Sequence, residues 1–435
     1  MDDGYPTTLR DAADKSQPDA EPALLPSAAP SKAPSPAEPP PPAVHALERA
    51  AIFLLGFSTF VPVFAPQSVL PQLASNFGAS PAETGAVIGA TTFAVALSAP
   101  LAGPLTDWIG RKRAMLAAIT ILVPLTLLLT LCTDLHQLLV VRFVQGIFLP
   151  SIFTGAVAYI ASRWQGARGA ALTGTFVSGS AIGGFAGRFI AGLLTDLVGW
   201  QSGFAALAVI SALCAILVGL WLPTDAGRPT ESILSHLRGM GYHLRDGRIR
   251  AVIACGAMVM FSMTGALSYL GFHLAEPPFG LSTAEVGLVF LVYPFCASSA
   301  MINGRLLRAL GTGGAYRAAL GLCATGQLLL LVPHLAAAVG GLSVFLVGIF
   351  LCQSMALGYV GRTATMNKGA AAGLYVSCFY FGGSLGAILP GLLWTAAGWA
   401  GCVGLILAAL CAAALFSLAM RERDPMAVTV PTAAG

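Results

Sequence analysis

The sequence is 435 residues long, 56% hydrophobic and only 10% charged, against about a quarter charged in an ordinary soluble domain. That deficit excludes a soluble cytosolic enzyme and makes lipid the solvent for most of the chain. The net charge of +4 divides into −4 over residues 1–44, with seven acids and three bases, and +8 over the remainder; the division reflects membrane topology, not a nucleic-acid partner.

Residues 1–44 carry 11 of the 28 prolines, including the run PAEPPPPAV, and lack the apolar stretch of a signal peptide. A disordered or polyproline-like cytoplasmic tail is expected over 1–47. From residue 48 onward, apolar segments near or above the ~20 residues needed to cross the hydrocarbon follow one another. Twelve are predicted, at 48–70, 82–104, 113–132, 137–159, 168–196, 201–222, 250–274, 284–305, 316–334, 340–362, 370–395 and 398–420. The longest internal polar stretch divides them six and six. The expected organisation is a six-helix bundle over 48–222, a cytoplasmic linker over 223–249, a second bundle over 250–420 and a cytoplasmic tail over 421–435.

Orientation follows from Lys and Arg, which keep short loops cytoplasmic. Loops and edges after the even-numbered spans carry Arg111, Lys112 and Arg113, then Arg163 and Arg168, the linker arginines, Arg305, Arg308 and Arg317, and Arg362 with Lys368. Those after odd-numbered spans have no base and carry Asp134 and Glu276 instead. Both termini are therefore expected in the cytoplasm, with the chain in the cell (inner) membrane. All six tryptophans fall near span ends, as an interfacial belt would place them. The nine cysteines lie inside apolar stretches without metal-ligand spacing and read as buried small hydrophobes.

The two halves repeat. Phe77–Gly85, FGASPAETG, returns 202 residues later as Phe279–Gly287, FGLSTAEVG; Gly146-Ile147-Phe148-Leu149 returns as Gly348-Ile349-Phe350-Leu351. The stretch Gly183–Trp200 returns at an offset of 199 as Gly382–Trp399. Six helices per repeat preserve orientation, so the chain reads as an all-α membrane protein of twelve helices in two parallel six-helix repeats. That is the arrangement of carriers whose two bundles rock about a central site. Glu83 and Glu285, equivalent by this repeat, are expected to be helix-start acids.

The loop after the second span reads Gly103-Pro104-Leu105-Thr106-Asp107-Trp108-Ile109-Gly110-Arg111-Lys112-Arg113. Gly103 suits close helix approach, Gly110 a tight turn, and Asp107 sets a carboxylate beside three cations. This loop resembles the signature of the major facilitator superfamily, and matches in spans 4, 5 and 11 extend the resemblance over 48–420. The resemblance implies a major facilitator fold and a cytoplasmic gate latch at Gly103, Asp107, Gly110, Arg111 and Arg113. The counterpart Gly304–Gly311 has Arg308 where Asp107 stands, so the latch should be asymmetric. Arg142-Phe143-Val144-Gln145-Gly146 is similar to the family's RxxxG pattern. Gly179–Gly184 resembles its glycine-rich antiporter motif, except that Ser180 replaces the usual proline. Spans 5 and 11 look closest to the YnfM-like branch of drug and sugar efflux permeases.

Charged residues inside a membrane are costly and are functional candidates by default. Arg142 and Arg188 are the two cations within spans; every acid from 50 to 420 falls at a span end or in a connection. Snorkelling of Arg142 to the outer interface is one reading. For Arg188 the readings are binding of an anionic substrate group, response to coupling protons, or a brace to backbone carbonyls. If protons drive the carrier, Asp107 or Asp196 is the better site. Gln67, among the prolines of span 1, and Tyr269, Tyr293, Tyr375 and Tyr380 are candidates for the substrate cavity.

These features predict a secondary transporter working by alternating access, a proton-coupled exporter of a drug, sugar, siderophore or other small metabolite. An organic-anion uptake or exchange carrier and a non-transporting receptor or scaffold are the alternatives. No enzyme activity, metal or organic cofactor is expected, and no GxxxxGK[ST] motif is present. The expected partners are a small-molecule substrate and the lipid bilayer, with the protein a monomer.

Overall fold

The computed structural model describes residues 42–224, 233–364 and 366–420; the proline-rich tail, part of the linker and the C-terminal tail lie outside them. Helices account for nearly all of the described chain. The first half comprises α1 (Pro42–Phe64), α2 (Pro66–Phe77), α3 (Pro81–Ile109), α4 (Arg111–Leu129), α5 (Leu135–Arg163), α6 (Gly166–Val198) and α7 (Trp200–Trp221). After α8 (Ile233–His243) come α9 (Gly247–Ala275), α10 (Thr283–Val289), α11 (Val292–Ala297), a 3-10 turn at Ser298–Ile302, α12 (Asn303–Leu329), α13 (Leu335–Thr363) and α14 (Lys368–Ser417).

Among the described residues, ten helical stretches are long and apolar enough to cross a membrane. Two of them, Thr283–Leu329 and Lys368–Ser417, run to 47 and 50 residues, at least double what a ~30 Å hydrocarbon core requires. Each contains one glycine in a non-helical, positive-φ conformation: Gly311 (φ 66°, ψ 172°) and Gly398 (φ 56°, ψ −148°). A residue with a side chain is disfavoured there, so the two glycines act as turns. Division at these points yields twelve apolar segments.

The repeat is visible in the packing. On α6, Gly183 and Gly187 lie so close to α1 that an added Cβ would stand 2.4 and 2.0 Å from the Phe57 and Val61 carbonyl oxygens. On α14, Gly382 and Gly386 meet α9 in the same way, with Ala257 and Phe261 oxygens at 2.1 and 2.2 Å. Lipid offers no hydrophobic drive for helix association, so backbone approach across small residues supplies it. The Gly146 and Gly348 pair departs from this symmetry, since Gly146 packs on Thr91 of α3 and Gly348 on Ala319 of α12.

Helix starts repeat as well. Ser80 and Ser282 each accept from the backbone of a glutamate three residues on, at 3.3 Å. Glu83 and Glu285 in turn accept from the serine N–H, at 2.7 and 2.8 Å. These are two capping boxes, so the glutamates serve helix initiation. The tryptophans divide: Trp108 is 77% exposed, whereas Trp200 and Trp399 are turned inward and buried. Trp399 donates to the Leu330 oxygen at 2.9 Å and stacks on His273, so these two pin helix ends together instead of facing the lipid interface.

Candidate functional site

The halves meet most intimately toward the end of the bundle that carries the arginine-free loops. Gly85 of α3 lies where a Cβ would be 2.1 Å from the Ala387 oxygen of α14, and a Cβ on Gly391 of α14 would be 2.6 Å from the Ala82 Cα. Gly192 of α6 meets the Thr283 backbone at α10, and Gly287 of α10 meets Arg188 and Phe189. Hydrogen bonds span the same surface. Ser384 donates to the Gly89 oxygen at 3.0 Å and Ser377 to the Ala96 oxygen. Asp196, at the end of α6, accepts from the Thr283 hydroxyl and, at 2.7 Å, from the Ala284 backbone N–H. One carboxylate of the first half thus clasps the start of α10 in the second.

At the arginine-rich end lies the signature loop. Asp107 accepts from Arg111 Nε at 2.9 Å, one helical turn away. Gly110 makes the turn between α3 and α4 at φ 96°. Lys112 reaches the Gly219 oxygen of α7 at 2.9 Å, and Arg113 is exposed. Gly103 differs from the close approach expected for it, because a Cβ built there meets nothing within 4 Å.

Both intramembrane arginines are buried. Arg142, on α5, does not run out to the interface. It donates to the Val63 oxygen at 2.5 Å, the Pro62 oxygen at 2.9 Å, the Val87 oxygen at 3.3 Å and Gln145 Oε1 at 3.0 Å. Gln145 is itself anchored on Thr126 Oγ1 at 3.0 Å. The need for these bonds is written in α1 and α2. Pro66 has no N–H with which to take the Pro62 oxygen four residues back, and the guanidinium replaces that missing donor. Arg142 is therefore a brace within the first half.

Arg188, on α6, lies between the halves. Its Nε and Nη2 both donate to Gln67 Oε1, at 3.0 and 2.5 Å, and its Nη1 donates to the Gly184 oxygen at 2.6 Å. Gln67 Nε2 continues across to Ser268 Oγ of α9 at 3.2 Å. Three aromatic rings surround the guanidinium carbon: Phe64 of the first half at 5.2 Å, and Phe290 and Tyr293 of the second at 4.8 and 5.1 Å. Helix irregularities create this setting. The α1–α2 junction at Ala65 carries Phe64 and Gln67, and the α10–α11 break, just before Pro294, carries Phe290 and Tyr293.

Of the other candidate residues, Tyr269 is buried and donates to the Ala387 oxygen at 2.6 Å, with its ring near Trp394 and Phe272. It holds α9 to α14 rather than projecting into open space. Tyr375 is buried against Gly256. Tyr380, partly buried, stacks on Phe153 across the halves. Tyr293 joins Arg188, whereas Tyr269, Tyr375 and Tyr380 belong to other surfaces. Sequence reasoning did not find Phe64, Phe290, Ser268 or Thr283. The prolines beside Phe64 and Tyr293 were the available signal for the first two, whereas Ser268 and Thr283 carry none.

The family model described as Major Facilitator Superfamily matches residues 52–387. The inner membrane transport protein YnfM of Escherichia coli (strain K12) is 30% identical over 370 residues, 84% of this chain and 88% of that protein. The uncharacterized MFS-type transporter YybF of Bacillus subtilis (strain 168) is 28% identical, over 82% of this chain and 89% of its own. In fold, the chain is similar to a crystal structure of the nucleoside transporter NupG, with a TM-score of 0.71 at 13% identity, covering 86% of this chain and all of that one.

Proposed function

The chain belongs to the Major Facilitator Superfamily and is a multi-pass membrane transporter, and on that premise we propose that it is a proton-coupled exporter of a small molecule working by alternating access. The halves 48–222 and 250–420 are the two rocking bodies, joined by the cytoplasmic linker 223–249. Both termini lie in the cytoplasm by the Lys/Arg distribution, so the arginine-free end is the outer one. Drugs, sugars, siderophores and comparable metabolites are the substrate range of this reading, and the working unit is the monomer.

The observation that carries the reading is the outer closure. Glycine-mediated backbone contacts and the Asp196 clasp join the halves toward one end, while Gly103 keeps room for a side chain toward the other. A carrier needs such one-sided closure, and the reverse state must bring a neighbour to Gly103 while separating Gly85 from Ala387. The signature loop, Gly103 to Arg113, is the latch of that reverse state. Asp196 is the proton site, because it is a carboxylate whose hydrogen bonds cross between the halves and whose protonation removes charge and an acceptor from the clasp.

The test is a comparative measurement of small molecules inside and outside cells lacking or overproducing the protein, with and without a protonophore. Export predicts a compound that accumulates inside on deletion and outside on overproduction, with the gradient abolished by the protonophore. Protonophore-insensitive distribution, or accumulation in the opposite sense, overturns the proposal.

A further inference from the structure

Arg142 and Arg188 are chemically identical and equally buried, so the difference between their surroundings is informative. Arg142 meets four acceptors, all of them in the first half and two of them carbonyls at the α1–α2 junction. That is a finished structural joint. Arg188 meets two acceptors, the Gln67 side-chain oxygen and the Gly184 carbonyl, which together take three of the five N–H groups a guanidinium offers. Its remaining surroundings are ring faces, which attract a cation but do not neutralise it.

The placement of Gln67 is specific. A single neutral oxygen receives both N–H groups along one edge of the guanidinium, the edge at which a carboxylate binds with two oxygens. The amide therefore stands where an anion fits, and its own Nε2 is held from the opposite half by Ser268. Phe64 and Gln67 come from one half, Phe290 and Tyr293 from the other, so relative movement of the halves takes the cage apart and exposes the guanidinium edge.

We propose that Arg188 and Gln67 form the recognition site for the anionic group of the carried compound, and that this compound is a flat organic acid. A carboxylate displaces the Gln67 oxygen from the Nε/Nη2 edge, and the rings of Phe64, Phe290 and Tyr293 receive the apolar body beside it. The cation is then neutralised only when the site is loaded, which couples occupancy to the meeting of the halves. This inference rests on the alternating-access reading given above.

The test uses the purified full-length chain in detergent with benzoate, cinnamate and indole-3-acetate, each compared with its uncharged primary amide. Unfolding temperature and titration calorimetry are the readouts. At least one acid should stabilise the wild type and bind at least tenfold tighter than its amide. Arg188→Gln should abolish this preference. Gln67→Glu retains the buried cation and gives it a permanent intramolecular carboxylate, so it should raise the unfolding temperature without ligand and weaken acid binding at least tenfold. It keeps the proposal testable where Arg188→Gln does not fold. Equal binding of acids and amides, no binding of any of the acids, or wild-type acid affinity in Gln67→Glu overturns the assignment. Proteoliposome flux separates the two readings: an acid that binds but is not carried counts against transport and leaves the site standing, whereas equal transport of acid and amide removes the site and leaves transport standing.

Discussion

Arg142 and Arg188 show how differently one residue type is used within a single bundle. Removing a buried donor leaves each partner oxygen with an unmet desolvation cost of about 1–3 kcal/mol. For Arg142 the exposed debts are the Pro62 and Val63 oxygens, because Pro66 and the helix junction supply no substitute. Arg142→Met is therefore expected to destabilise by about 2–5 kcal/mol. Arg188→Met should cost much less, since the Gly184 oxygen retains its helical partner and the rings accept an apolar side chain. Unfolding temperatures of the two variants, measured side by side in one detergent, check the order; a larger loss for Arg188→Met would show that it, too, is a structural joint. Both arginines were legible in the sequence as intramembrane charges. Their separate roles were not, because the backbone acceptors of Arg142 lie 55 to 80 residues away in sequence and carbonyl acceptors leave no residue-type signal.

At the level of helices, the close-packing glycines divide into those that hold each half together and those that fit one half against the other. Gly183 and Gly382 are of the first kind, each against the backbone of the helix that begins its own half. Gly85 is of the second kind, whereas at Gly103 an added Cβ meets no described atom within 4 Å. Leucine at position 85 cannot coexist with the Ala387 carbonyl, so Gly85→Leu should drive the halves apart at the outer end. Gly103→Leu should be accommodated in the conformation described and obstruct the opposite closure. Distances between one spin label in the loop 78–80 and one in 276–282, on a cysteine-free background, should lengthen in Gly85→Leu and stay at the wild-type value in Gly103→Leu. Transport should fall in both. The apolar spans, the repeat and the helix-start glutamates could be read from hydropathy, offset and local spacing. The breaks at Ala65 and before Pro294 were visible only as prolines. That the two breaks converge on Arg188 depends on packing between helices far apart in the chain, which periodicity does not encode.

For the molecule as a whole, the closure at the arginine-free end is the sum of apolar close packing and the Asp196 clasp, which rests on a charge. The carboxylate accepts from Thr283 and from the Ala284 N–H at 2.7 Å, at the start of a helix where negative charge is favoured. Charge-assisted bonds of this kind are worth about 0.3–1 kcal/mol at an exposed helix start, so losing the charge should multiply the population open at this end by roughly 2- to 5-fold. Asp196→Asn imitates the protonated state permanently. It should lengthen the label distance at the arginine-free end relative to the wild type. Thr283→Val removes one donor and retains the carboxylate, so its closed state should be weaker than in the wild type but stronger than in Asp196→Asn. In proteoliposomes, proton-driven flux should then persist in Thr283→Val and vanish in Asp196→Asn, while passive exchange of substrate continues in both. Undiminished proton-driven flux in Asp196→Asn would move the coupling site elsewhere; loss of passive exchange as well would mean that the clasp is needed for the movement itself.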